Sequence, residues 1–138
     1  MKKRTCLLLA MTFVVASAAM LPAQIKKGKT RAATTKQLMG GLVKANCAAL
    51  GDALKNAPAD DKAWDELALK AALLNESGYL LMDDGRCPDG VWAGAAKTLR
   101  EGSTELLAKL EAKDHAGAQA AFQNVTKSCG ECHKAHKK

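Results

Sequence analysis

The chain has 138 residues and a formal net charge of +7 at pH 7, because Lys and Arg outnumber Asp and Glu by 21 to 14. This length fits one compact domain with a single hydrophobic core and leaves no room for a second. The basic residues form no concentrated run, and only 4% of residues are aromatic. This pattern argues against a nucleic-acid-binding protein, so nucleic acid is not an expected partner.

The N-terminus has the pattern of a secretory signal peptide. A basic start at residues 1–4 is followed by an apolar run over 6–19 and by small residues that a signal peptidase accepts. Cleavage after Ala23 is favoured, and cleavage after Ala18 also satisfies the small-x-small rule. A membrane span needs ~20 apolar residues, more than this run contains. We therefore expect segment 1–23 to be removed, which predicts a periplasmic protein with no membrane span in its mature chain.

The mature chain is predicted to consist of a flexible leader and one domain. Residues 24–33 mix basic residues with Gln, Gly and Thr, which is typical of a flexible segment. Residues 34–138 are rich in Ala, Leu, Lys and Glu and contain no alternating run of β-branched residues. This composition indicates an all-α domain.

The first half of this domain predicts two amphipathic helices. The first runs from about Thr34 to Leu54 and is broken at 56–58, and the second is capped by Asp60 or Asp61. Apolar residues recur every three or four positions in both, as expected of a buried helical face. The two stripes are Met39, Val43, Cys47, Leu50 and Leu54, and Trp64, Leu67, Ala71, Leu74, Gly78 and Leu81.

The second half predicts two more helices. Turn-forming residues over 83–90 precede the third helix, and Asp114 caps the fourth. Their apolar stripes are Trp92, Ala95, Leu99, Leu106 and Leu110, and Ala118, Phe122, Val125, Cys129 and Cys132. Four helices of this length joined by short loops predict an antiparallel up-and-down four-helix bundle.

The strongest motif is Cys129-Gly130-Glu131-Cys132-His133, near the end of the fourth helix. Attachment of c-type haem requires two thiols at a spacing that reaches both vinyl groups, with an imidazole directly after the second thiol. Each thiol adds across a vinyl group to give a thioether, and the histidine binds the iron. The motif therefore predicts one covalently bound haem c, attached near the C-terminus through Cys129, Cys132 and His133.

Two other uses of a Cys-x-x-Cys pair fit the chain less well. A thioredoxin-like dithiol would follow a strand, and none is predicted before Cys129. A structural zinc site needs four ligands in paired short spacings, whereas Cys47 and Cys87 are single. Haem attachment is the favoured interpretation.

On these residues the chain resembles the class II c-type cytochromes, a family of four-helix bundles comprising cytochrome c prime and its low-spin relatives. The similarity covers the whole mature chain, with Lys-Gln-Leu-Met at 36–39, Val-Trp at 91–92 and the haem motif continuing over 129–137. The family commonly has an arginine in the first helix, and an aromatic residue and an arginine after the haem histidine. At these positions the chain has Thr35, His136 and Lys137.

The resemblance implies that the residue facing the haem from the first helix decides the function. An apolar residue there leaves five-coordinate iron that binds small gases, whereas a methionine ligates the iron in the low-spin members. Met39 falls at this position, and a thioether ligand raises the reduction potential, which favours electron transfer. Met39 is therefore the favoured second iron ligand. The alternative is that it only packs in the core.

Two further pairs of residues in the sequence call for an explanation. Glycine costs roughly 1 kcal/mol inside a helix, so Gly40-Gly41 indicates a close approach by the haem plane or by a neighbouring helix. Cys47 and Cys87 remain after the other cysteines are assigned, and in an oxidising compartment they are expected to form a disulfide. The alternative is two separate thiols.

The other histidines are not expected to bind iron. His115 lies about 20 Å from Cys129 along the fourth helix, since each residue advances an α-helix by 1.5 Å. His136 lies about one turn beyond His133 and is expected to face solvent.

These observations predict a periplasmic monohaem c-type cytochrome, monomeric or homodimeric, that carries single electrons between transient redox protein partners. The mature chain keeps a net charge of +4, which suits docking with an acidic partner. No substrate is transformed, so the chain is not expected to be an enzyme. The alternative is a five-coordinate haem protein of the cytochrome c prime type that binds NO or CO.

Overall fold

The computed structural model describes residues 28–137. The predicted signal peptide at 1–23, the first residues of the predicted leader and Lys138 lie outside this range. The regular secondary structure of residues 28–137 consists of helices, with no strand. This confirms the predicted all-α class. None of the helices in this range is long and apolar enough to cross a membrane.

The described residues form four helical stretches. The first, called the first helix below, consists of α1 (Thr35–Leu38), a π-helical segment (Met39–Val43) and α2 (Lys44–Ala53), which follow one another without a break. The other three are α3 (Asp61–Leu80), α4 (Gly90–Glu111) and α5 (His115–His136). These are the four helices that the sequence predicts, and the π-helical segment is a feature it does not predict.

Each stretch begins at a side-chain cap. Thr34 and Gln37 form a capping box, in which the Gln37 N–H donates to Thr34 Oγ1 and the Thr34 N–H donates to Gln37 Oε1. Such caps satisfy backbone N–H groups that have no partner within the helix. The other three caps are aspartates whose carboxylates accept a backbone N–H three residues later: Asp60 from Ala63, Asp89 from Trp92 and Asp114 from Gly117.

The core lies between the four stretches and consists mainly of the predicted apolar stripes. Leu50, Leu74, Leu106 and Leu110 are fully buried, at 0% exposure. Burying a leucine contributes roughly 1.5–3 kcal/mol. The same cluster includes Val43, Leu54, Trp64, Leu67, Ala71, Leu81, Trp92, Leu99, Ala118, Ala121, Val125 and Cys132.

Contacts between helix ends fix α3 against α4. The indole Nε1 of Trp92, in the first turn of α4, donates a 2.8 Å hydrogen bond to the carbonyl oxygen of Leu81, just after α3. Lys113, just after α4, donates a 2.7 Å hydrogen bond to the carboxylate of Asp61, at the start of α3. The end of each helix therefore meets the start of the other.

The start of α5 packs against the end of the first helix. Gln119 Nε2 donates a 2.7 Å hydrogen bond to the carbonyl oxygen of Leu54, and His115 Nε2 lies 3.0 Å from the same oxygen. One turn away, the Phe122 ring is so close to Gly51 that a Cβ there would lie 3.3 Å from it. The first helix and α5 therefore face each other closely, and both border the cavity described below.

Residues 28–33, the described part of the predicted leader, contact the loop between α3 and α4. The Asp84 carboxylate accepts hydrogen bonds from the backbone and hydroxyl of Thr30 and from the backbone of Arg31, all at 2.8–2.9 Å. These bonds, that of Arg31 foremost, lower the pKa of Asp84 to about 2. The guanidinium of Arg86, 1% exposed, lies 3.6 Å from Asp84 and donates to the carbonyl oxygen of Ala33 at 3.0 Å.

Candidate functional site

A cavity with a volume of about 620 Å³ lies between the first helix, the start of α4 and the end of α5. Its lining is mostly apolar and includes Met39, Cys129, Cys132 and His133. These are the four residues that the sequence singles out, and the fold brings all of them to one cavity. The volume is within the range typical of small-molecule and cofactor sites.

The motif residues lie within α5, which continues as a regular helix to His136. Cys132 is buried, and burial raises the pKa of its thiol. Cys129 is half-buried, and its thiol lies 3.6 Å from the carbonyl oxygen of Val125. His133 is exposed, and its imidazole makes no hydrogen bond to any residue in 28–137. Its ring is therefore free to turn into the cavity.

Met39 begins the π-helical segment on the facing helix. It is partly buried and lines the cavity together with Gly40 and Val43. π-helical turns are rare and often occur at functional sites. A Cβ added at Gly40 or Gly41 would meet no atom within 4 Å. Within the described residues, therefore, no neighbouring helix lies close enough to require the two glycines. The expectation that a neighbouring helix explains the pair is wrong. The space beside Gly40 opens into the cavity.

The predicted disulfide between Cys47 and Cys87 is not present, and both residues are free thiols. Cys47 lines the cavity, and its thiol is hydrogen-bonded to that of Cys129. Cys87 lies in the loop before α4, with its sulfur 3.4 Å from the carbonyl oxygen of Asp89. The prediction was wrong because the stripe of the first helix turns Cys47 toward α5, a relation that helix periodicity alone does not reveal.

The contact between Cys47 and Cys129 changes the acidity of both thiols. Their hydrogen bond lowers the pKa of Cys129 to about 7 and raises the pKa of Cys47 well above its ordinary value. Burial raises the pKa of Cys47 further. In the protein as described, Cys129 is therefore the more acidic and more nucleophilic of the two thiols.

The sequence predicts that His136 faces solvent, but its side chain is largely buried. Its side chain is 13% exposed, with Nε2 3.4 Å from the carboxylate of Asp89. Its ring meets Trp92 edge to face, with the centroids 5.3 Å apart. Both rings line the cavity. His115 is not among the lining residues and instead contacts Leu54, as noted above.

The charged residues that line the cavity are all basic. Lys36, Lys44 and Lys137 border it, and no Asp or Glu in residues 28–137 does. An apolar interior with a basic border suits a flat apolar ligand that carries carboxylates. No group of three or more His, Cys, Asp or Glu side chains in the described range is arranged to hold a metal ion.

Sequence reasoning placed Cys47 on the stripe of Met39 but assigned it to a disulfide, and it placed His136 in solvent, although the helical pattern is consistent with both lining the cavity. His136 follows Cys132 by four residues, so both lie on the same face of α5. Cys47 follows Met39 by eight residues, about two turns, and shares its stripe. Their contacts with α4 and α5 depend on how the helices pack and are not visible in either pattern.

No protein-family model, curated protein or solved structure matches this chain.

Proposed function

We propose that this chain is a monohaem c-type cytochrome with an antiparallel four-helix bundle, exported to the periplasm, that carries single electrons between protein partners. One observation supports this proposal above all. Cys129, Cys132 and His133, in the spacing that haem attachment requires, line the same apolar cavity as Met39 on the facing helix. A chance Cys-x-x-Cys-His match would have no reason to border a cofactor-sized cavity.

The cavity fits haem in size, polarity and charge. Its volume of about 620 Å³ is enough for a large cofactor, and its lining is mostly apolar. Gly40 has open space where a side chain would begin, which leaves room for a flat ring. Lys36, Lys44 and Lys137 supply positive charge for two propionates.

The residues of the chain have distinct parts in this proposal. The thiols of Cys129 and Cys132 would hold the porphyrin through thioethers, and the imidazole of His133, which has no competing hydrogen bond within residues 28–137, would supply an iron ligand. Met39, which lines the same cavity, would supply a second ligand to the iron in place of a gas molecule. When bound, haem provides a one-electron couple between ferrous and ferric iron. Because the porphyrin itself supplies four nitrogens, a protein cluster of three metal ligands is not needed.

The helix contacts support the antiparallel topology. The start of α4 bonds to the end of α3, the end of α4 bonds to the start of α3, and the end of α5 contacts Asp89 at the start of α4. The end of the first helix meets the start of α5 at Leu54. Each of these contacts joins opposite ends of neighbouring helices, as an up-and-down bundle requires.

Haem content after denaturing electrophoresis tests the proposal. The protein, produced with haem-attachment machinery, should keep haem on the polypeptide, and the Cys129→Ser/Cys132→Ser double variant should lose it. Cys87→Ser is the matched control, because Cys87 does not line the cavity, and it should keep haem. A folded wild-type protein that carries no covalent haem would contradict the proposal.

Electron transfer is distinguished from gas binding by the reduced-minus-oxidised spectrum. We expect sharp α and β bands and a weak sulfur-to-iron charge-transfer band in the ferric protein, because Met39 lines the cavity opposite the motif. Broad high-spin bands and rapid carbon monoxide binding would instead indicate a five-coordinate gas-binding protein.

A further inference from the structure

The thiols of Cys47 and Cys129, on two separate helices, interact with each other at the cavity. Both residues line it and both are half-buried, so each thiol is accessible from the cavity. The helices are held together beside this contact, where Gln119 bonds to Leu54 and Phe122 packs on Gly51. The fold therefore brings the two thiols into contact across the cavity.

We propose that Cys47 and Cys129 form a disulfide in the haem-free protein, which cross-links the first helix to α5 and withholds Cys129 from haem attachment. The disulfide itself depends only on the contact between these residues. Its effect on haem attachment rests on the proposed function. Cys47 then blocks Cys129, the first cysteine of the motif, until the disulfide is reduced and haem can be attached.

The alternative disulfides among the four described cysteines are less favourable on geometric grounds. Cys129 and Cys132 are three residues apart on α5, where Cβ atoms are about 5–6 Å apart. A disulfide needs Cβ atoms about 3.5–4.5 Å apart, so this link requires the helix to distort. Cys87 does not line the cavity and its sulfur contacts Asp89 instead. Cys132 also lines the cavity, but among the four cysteines in residues 28–137 the thiol that Cys47 interacts with is that of Cys129.

The chemistry is ordinary thiol–disulfide exchange with a low-molecular-weight disulfide as oxidant. The thiolate of Cys129 attacks the oxidant and releases one of its thiols, and Cys47 then displaces the other from the mixed disulfide. Two protein thiols are oxidised, and one disulfide is reduced to two thiols. A dithiol reductant reverses the reaction and returns both thiols. Thioether formation then adds the S–H of Cys129 across a vinyl group with no net transfer of electrons.

Peptide mapping of the full chain, purified without haem, tests the disulfide. The native protein is equilibrated with oxidised and reduced glutathione, alkylated, and digested with trypsin and a Glu-specific protease, which cuts at Glu131 and separates Cys129 from Cys132. We expect the linked Cys47–Cys129 peptide to be about tenfold more abundant than any alternative link, a preference of about 1.4 kcal/mol. It should vanish in Cys47→Ser and persist in Cys87→Ser. A dominant link to Cys87 or Cys132, or no link between protein cysteines, overturns the proposal.

Haem attachment in vitro tests the consequence. The oxidised wild-type chain, mixed with ferrous haem, should gain no thioether at Cys129 until a dithiol is added, and the reduced Cys47→Ser chain should gain it directly. If the oxidised wild type attaches haem through Cys129 at the same rate as the reduced chain, the protecting role is wrong. If reduced Cys47→Ser and reduced wild type both fail to attach haem while the mapped disulfide forms, the proposed function fails and the disulfide stands.

Discussion

The indole nitrogen of Trp92 donates a 2.8 Å hydrogen bond to the carbonyl oxygen of Leu81, and both residues are buried. Trp92→Phe keeps an aromatic ring but leaves this carbonyl without its donor, so we expect the free energy of unfolding to fall by about 1–3 kcal/mol. Trp64→Phe is the control, because the Trp64 indole nitrogen bonds no residue in 28–137. Chemical denaturation measures both variants, and equal losses would contradict the role of the hydrogen bond.

Met39→Ala should remove the sulfur ligand that we propose for the haem iron. The weak charge-transfer band of the ferric protein should disappear, the reduction potential should fall, and carbon monoxide should bind to the ferrous protein. Met82→Ala is the matched control, because Met82 packs against the core and does not line the cavity. Retention of the band in Met39→Ala would exclude Met39 as the ligand.

Gly78 and Gly94 should respond to alanine in opposite directions. A Cβ at Gly78 would lie 3.2 Å from the carbonyl oxygen of Ala96 and closer still to Arg100, so Gly78→Ala should lower the free energy of unfolding by about 1–3 kcal/mol. Gly94 also lies within a helix but has open space, so Gly94→Ala should raise it by about 0.5–1 kcal/mol. Thermal unfolding compares the two, and stabilisation by both changes would mean that α3 and α4 pack less closely at Gly78.

Asp84 should make the attachment of residues 28–31 sensitive to acid. Its pKa is lowered to about 2 in the folded protein, below the ordinary value of ~3.9. The stabilisation is therefore fully present above pH ~4 and is lost as the pH falls toward 2. Asp84→Asn, which tolerates the positive φ of 60° at this position, should show the same loss at neutral pH.

Limited trypsin digestion at Lys29 and Arg31 measures this attachment. Cleavage should be several-fold faster in Asp84→Asn than in the wild type. Asp65→Asn, an exposed position on α3, should cleave at the wild-type rate. If Asp84→Asn also cleaves at that rate, the hydrogen bonds from Thr30 and Arg31 do not hold the segment.

Cys129 should be the first thiol of the haem-free, reduced chain to react with iodoacetamide. The interaction with Cys47 lowers its pKa to about 7. Because the thiolate is the reactive form, its alkylation rate should reach half of its maximum near neutral pH. In Cys47→Ala the midpoint should move up toward the ordinary value of ~8.5, and in Cys87→Ala it should not move. A pH profile of alkylation by mass spectrometry measures each midpoint, and an unchanged midpoint in Cys47→Ala would falsify the contact.

The helices were predictable because their signals are local. Asp60 and Asp114 precede α3 and α5 as predicted, and the apolar stripes form the core. Hydrophobic periodicity and capping act within a few residues, so one sequence is enough to identify them. The cavity residues Met39, Cys129, Cys132 and His133 were likewise named from motif and position.

The remaining features depend on packing between helices. The thiol contact of Cys47 with Cys129 and the burial of His136 beside Trp92 are set by which faces of three helices meet. Periodicity gives the buried face of a helix but not its partner. The π-helical segment at Met39–Val43 changes the hydrogen-bonding pattern by one residue. Within it, Gly40 and Gly41 are the sequence feature that departs from an ordinary helix.

The four caps at Thr34, Asp60, Asp89 and Asp114 have a kinetic consequence. Each fixes the start of a helix through a partner three residues away, so nucleation of a helix does not wait for distant parts of the chain to meet. Helical proteins dominated by such local contacts fold in microseconds to milliseconds. The chain is therefore expected to form its helices rapidly, before the covalent attachment of haem that we propose at α5.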